Sequence, residues 1–146
     1  MTQKDKELLL KDLCARLPYG VMCIFSEPPY GEITEPLKMG GLRAFIEDKW
    51  KVKPYLRPMS SITEEEAKEL SILYGFKDIL SIKITDEYID VVVDDGVCSA
   101  ETRTIWYDEI ISSIEIFDWL NAHHFDYRGL IEKGLAIAVT KENNPY

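Results

Sequence analysis

The sequence predicts an α+β fold, a small antiparallel sheet packed with about four helices. Three observations carry that prediction. Apolar residues recur at three- and four-residue spacing near the N-terminus, after Thr63 and after Asp108, which is the helical period. Between residues 79 and 106 the apolar positions alternate with polar ones, which is the strand period. Turn residues, among them Gly20, Gly75 and the run Asp94-Asp95-Gly96, separate these segments at short intervals. The 146 residues are expected to form a single domain over 1–146. A chain of that size buries about 68–70% of its unfolded surface, enough for one core.

The first element reads as a helix from about 4 to 17. Leu9, Leu10, Leu13, Cys14 and Leu17 make its apolar stripe, Lys4, Lys6, Lys11 and Asp12 take the other face, and Pro18 and Gly20 end it. VMCIF, residues 21 to 25, is a short apolar run of the kind that forms a buried strand, and SEPPYGE after it is a loop or turn. A second extended piece is expected through LRAFI. KWKVK at 49 to 53 then alternates, with Trp50 and Val52 on one face and three lysines on the other. Pro54 and Pro58 are expected to exclude a central strand there.

Thr63 with Glu66 is a capping box, so a helix begins there. Ala67, Leu70, Leu73 and Tyr74 form its stripe and Gly75 its stop. SIKIT, YIDVVV and TRTIWY read as three strands of an antiparallel meander, the last two joined by DDG. Asp108 is expected to cap a helix over 108 to 123 with the stripe Ile110, Ile111, Ile114, Phe117 and Leu120. Asp126 caps a short helix over 127 to 134 that ends at Gly134.

Composition sets the class. With 46% hydrophobic and 29% charged residues the chain is globular. No apolar run reaches the roughly 20 residues that span a bilayer, and charges break the N-terminal leucines, so a cytoplasmic protein with no membrane partner is expected. Cys14, Cys23 and Cys98 are odd in number and widely spaced, which points to buried thiols rather than to a disulfide framework or a zinc cage. The net charge is −9, unevenly spread: Lys38, Arg43, Lys49, Lys51, Lys53 and Arg57 against Glu47 and Asp48 give +4 to one stretch and leave −13 for the rest.

Three places can carry chemistry. The strip Lys49, Trp50, Lys51, Lys53, Tyr55 and Arg57 interleaves cations with rings, as suits phosphate contacts combined with base stacking, but the same pattern is an amphipathic strand with solvated lysines. His123 and His124, with Asp118 or Glu115 nearby, are the acid/base or metal candidates. Consecutive helical residues diverge by about 100°, so both histidines meet one ion only if the helix ends between them. An interhelix corner, with Phe125 anchoring the bend, is the simpler reading. Asp94, Asp95 and Glu101 form an acidic group at the hairpin, where turn and cap roles also explain them.

The blocks KDKELLLKDLCARLPYGV, VKPYLRPMSSITEEE and HHFDYRGLIEKGLA resemble a family of small uncharacterised proteins of gut bacteria, their prophages and other mobile elements. The resemblance covers about two fifths of the chain. It implies an accessory role in a phage or mobile element and transfers no catalytic residue.

No phosphate-binding glycine loop, nucleophile elbow, HExxH or CxxC motif is present. The leading expectation is a non-enzymatic protein-interaction or regulatory module with an unidentified protein partner and no cofactor. Nucleic-acid binding through the strip ranks next, because the acidic remainder repels phosphate. An enzyme with an unrecognised acid/His site comes after it. A DNA mimic fits the acidity but not the basic strip, and a homo-oligomer stays open.

Overall fold

A computed structural model describes residues 1–97, 99–110 and 113–146. The fold is α+β, 35% helical and 29% strand, with four α-helices among the described residues and two small sheets. The chain divides into two compact units, Met1–Arg57 with Asn121–Tyr146, and Pro58–Leu120.

The first unit opens with helix α1 (Gln3–Arg16). Thr2 and Asp5 cap it reciprocally, satisfying two backbone donors that the first turn leaves free. Strand β1 (Met22–Glu27) turns through Pro28–Tyr30 into β2 (Gly31–Pro36). Helix α2 (Met39–Ile46) and strand β3 (Lys51–Leu56) follow, and the two-residue β7 (Ile137–Ala138) returns late in the chain. The sheet order is β2-β1-β3-β7, antiparallel except for β3 with β7. Leu9, Leu13, Val21, Cys23, Phe25, Leu42, Phe45, Val52, Leu56, Leu130 and Leu135 form one core.

In the second unit, helix α3 (Glu64–Leu73) starts at the Thr63–Glu66 capping box read from the sequence. Strands β4 (Ile79–Ile84), β5 (Tyr88–Asp94) and β6 (Ala100–Trp106) form the expected meander. Ile89, Val91 and Val93 are buried at alternate positions of β5. Helix α4 (Ile114–Ala122) closes the unit and carries the chain back to the first.

Several expectations fail for local reasons. LRAFI is not extended: it lies in α2, where Leu42 and Phe45, three apart, reach the core on one helical face. Pro54 sits inside β3. Its strand pairs with β1 as far as Pro54 and with β7 from Tyr55, so the residue without an N–H falls where one partner gives way to the other. Tyr107–Glu109 is a single 3-10 turn, and α4 begins only at Ile114, whose neighbour Ser113 accepts from the Ile116 N–H. Ile114 is exposed while Ile116 and Leu120 are buried. The expected stripe position Ile111 lies outside the described residues, as does Cys98.

Residues 127 to 134 form successive turns rather than a helix. Gly129 at φ +67° interrupts them, and the Asp126 carboxylate accepts from the N–H groups of both Leu130 and Ile131. Cys14 is exposed, not buried as expected, and Asp12, expected on the solvent face of α1, is fully buried.

Candidate functional site

The basic strip is divided between the two faces of β3. Lys51 and Lys53 are exposed and Tyr55 half-buried on the outer face, whereas Val52, Pro54 and Leu56 are buried on the inner one. Lys49 pairs with Glu47 at 2.6 Å, and its ammonium is held above the usual lysine range by that carboxylate. The Arg57 guanidinium stacks on the Phe125 ring at 4.2 Å. Trp50 turns inward and meets Phe25 edge-on, ring centres 5.9 Å apart. Lys51 and Lys53 therefore lie on the face of β3 opposite the Trp50 ring, and of the strip's cations only Lys49, held by Glu47, lines a hollow with it.

What Trp50 does share is a groove. Phe25, Tyr30, Ile33 and Trp50, with Glu27, Glu32, Glu35 and Gly31, line a hollow of about 310 Å³. The register explains the grouping: Phe25 lies opposite Ile33, Cys23 opposite Glu35, and Glu27 opposite Gly31, so these side chains fall on one face of the β1–β2 hairpin. Gly31 has no side chain to fill the space across from Glu27, and its φ of +96° suits glycine. Glu32, on the opposite parity, reaches over to accept from the Ser26 hydroxyl at 3.0 Å. Tyr30 and Ile33 are 83% and 58% exposed and share this lining with the half-buried Trp50.

A second hollow of about 360 Å³ continues past Trp50 and Glu27 to Gly40, Arg43, Ala44, Glu47 and Lys49. Its two cations are both drawn to Glu47, Arg43 at 2.8 Å. These two contacts hold the Glu47 carboxyl below its ordinary range. No cation lines the first hollow. The groove thus presents the exposed Tyr30 ring, the half-buried Trp50 and three carboxylates with no cation in the lining, a combination that attracts a cationic side chain through both Coulomb and cation–π terms.

The histidines form a corner. Helix α4 ends at Ala122, and His124 adopts φ +60°, with its N–H bonded to Asn121 O at 3.1 Å. His123 is near-parallel to Phe125 (6.4 Å, 20°), and His124 stacks on Tyr146 (4.2 Å, 9°). Burial, reinforced by the positive charges of Arg16, His123 and Arg57, pushes the His124 imidazole down to about 4. Asp118 is exposed on α4. Asp94 accepts from the Gly96 N–H and Asp95 from those of Val97 and Ser99, while Glu101 pairs with Arg103. The Ser99 hydroxyl on Asp95 is the main cause of that carboxyl's lowered pKa. Among the described residues, no three His, Cys, Asp or Glu are placed to hold a metal.

Sequence reasoning missed a buried charge cluster beside this corner. Asp12 and Arg16, both fully buried, pair at 2.7 Å through Oδ2 and Nε. Arg16 Nη2 donates to the Phe125 carbonyl at 2.7 Å, and Arg128 Nε lies 3.2 Å from Asp12 Oδ1. Arg128 also donates to the Tyr127 hydroxyl, which donates to Asn121 Oδ1. The i, i+4 spacing of Asp12 and Arg16 was visible, but nothing local marks such a pair as buried. Its contacts tie α1 to the turn after α4. Comparison with known protein families, with curated proteins and with solved structures finds no match to this chain.

Proposed function

We propose that this protein is a non-enzymatic protein-interaction module whose working surface is the groove around Trp50, and that it takes an extended, lysine- or arginine-bearing segment of a partner protein. The observation that carries the reading is the lining of the first hollow: three glutamates and no cation around Phe25, Tyr30, Ile33 and Trp50. Tryptophan, half-buried at position 50, is among the residue types that dominate binding energy at protein interfaces. Strand β2 also lies at the end of its sheet with its outer edge unpaired, so an incoming segment can add main-chain hydrogen bonds while a basic side chain enters the groove. The buried charge cluster has a structural role in this reading, since its groups bind one another.

The test is a titration with a synthetic peptide carrying lysine at alternate positions, followed by Trp50 fluorescence in a Trp106→Phe/Trp119→Phe background. Saturable binding is expected, lost in Glu27→Lys and Glu35→Lys proteins that keep their circular dichroism, with no binding of the glutamate counterpart. Equal binding of the acidic peptide, or full binding by the reversed proteins, would overturn the reading. Saturable binding of an oligonucleotide, lost in Lys51→Glu/Lys53→Glu, would instead support nucleic-acid recognition by the outer face of β3. Its salt slope would be about −0.7 to −0.9 per phosphate neutralised.

A further inference from the structure

The sheet of the second unit ends in two edges, β4 and β6, and they differ. The pairing of β4 slips between Ile79 and Ser81, an irregularity that blunts an edge against further pairing. Strand β6 matches β5 residue for residue, from Asp94↔Ala100 to Tyr88↔Trp106, with no bulge and no proline. Every residue of β6 except Ile105 is exposed. An edge of seven regular residues is an open template for another strand.

We propose that the strand it accepts is β6 of a second copy of this chain, antiparallel, about a two-fold axis through Thr102. The pattern of charge selects both the partner and the register. For two copies to form one continuous sheet with their apolar faces on the same side, facing residues must have the same parity, so the axis passes through a residue. An axis at Arg103 sets the two arginines opposite each other, and one at Glu101 does the same with the glutamates. An axis at Thr104 leaves Arg103 facing Ile105. At Thr102, Glu101 of each copy faces Arg103 of the other, and the two threonines face one another.

The Glu101–Arg103 contact within one strand, 3.0 Å with both side chains about half exposed, becomes a closed set of four alternating charges. In this register the residues that face one another within β6 of both copies run from Ala100 to Thr104. A single strand pair makes a small interface, so the dimer belongs to the weak, exchanging class below about 1,200 Å².

The test is sedimentation equilibrium of the full chain from micromolar to near-millimolar concentration, together with cysteine cross-linking. A monomer–dimer equilibrium is expected. Arg103→Glu should weaken it about tenfold or more, since both cross-strand pairs turn from attraction to repulsion. Glu101→Arg/Arg103→Glu, which restores the alternation, should recover the dimer. In a Cys14→Ser/Cys98→Ser background, Thr102→Cys should oxidise to a disulfide-linked dimer, because facing residues lie about 4.5–5.5 Å apart between Cα atoms. Arg103→Cys should not, its twin lying on the diagonal at about 7–8 Å. A monomer throughout, an undiminished dimer in Arg103→Glu, or faster cross-linking at 103 than at 102 would overturn the proposal. None of these outcomes touches the Trp50 groove, which is read by its own titration.

Discussion

Replacing Asp12 by asparagine keeps the shape of the side chain and removes the only carboxylate in the buried cluster, leaving Arg16 and Arg128 facing each other's charge. Asp12 holds Arg16 at 2.7 Å and Arg128 at 3.2 Å, with Asp12 and Arg16 wholly shielded from water. At an effective dielectric constant of about 20 these contacts represent roughly 6 and 5 kcal/mol of gross attraction. Desolvation of the three charges cancels most of that in the intact protein. It does not fall away when one partner is removed, which is why breaking a buried pair costs about 3–5 kcal/mol.

The assay is urea unfolding followed by Trp50 fluorescence in the Trp106→Phe/Trp119→Phe background, so that only the first unit is observed. With an m-value of about 1.5 kcal/mol/M, the midpoint should fall by roughly 2–3 M. The exposed pair Arg43–Glu47 supplies the control, and Glu47→Gln should leave the midpoint where it was. Asp12→Leu/Arg16→Met, which removes both charges of the closer pair, should recover a large part of the loss. A shift in Asp12→Asn no larger than in Glu47→Gln would refute the argument that burial makes this carboxylate indispensable.

Three further outcomes follow from other contacts. A Cβ built on Gly41 falls 2.5 Å from Phe25 Cε1, so Gly41→Ala should destabilise the first unit by about 1–3 kcal/mol and disturb the Phe25–Trp50 contact, visible as a shift in Trp50 emission. His124 stays neutral in the folded chain down to about pH 4, whereas its ordinary value is 6.5. The unfolded chain therefore binds the extra proton, and the stability that the neutral ring contributes is full above about pH 6.5 and is lost as pH falls towards 4. NMR titration of the ring, and a flatter stability profile over that window in His124→Asn, check this. Finally, burial pushes the Cys23 thiol up to about 12, while Cys14 is exposed. In a Cys98→Ser protein, a thiol reagent should modify Cys14 at once and Cys23 only on unfolding.

The sequence marks those elements whose signals are local. The leucine spacing of α1, the Thr63–Glu66 capping box and the alternation of β4 to β6 each lie within a few residues, and each marks its element correctly. It also fixed Asp126 as a capping carboxylate, although two glycines at positive φ turn the capped segment into successive turns.

Tertiary structure alone decided the rest, because the groups concerned are brought together across long stretches of chain. Asp12 is buried because a carbonyl 109 residues from Arg16, together with Arg128, completes its cluster, and an i, i+4 ion pair reads the same on a solvated helix. The alternation of the strip at 49 to 57 is legible in the sequence, but only the fold brings Trp50 against Phe25, Lys49 onto Glu47 and Arg57 onto Phe125. The groove exists because hairpin register sets Ile33 across from Phe25 and a glycine across from Glu27, an arrangement fixed by pairing geometry and not by composition.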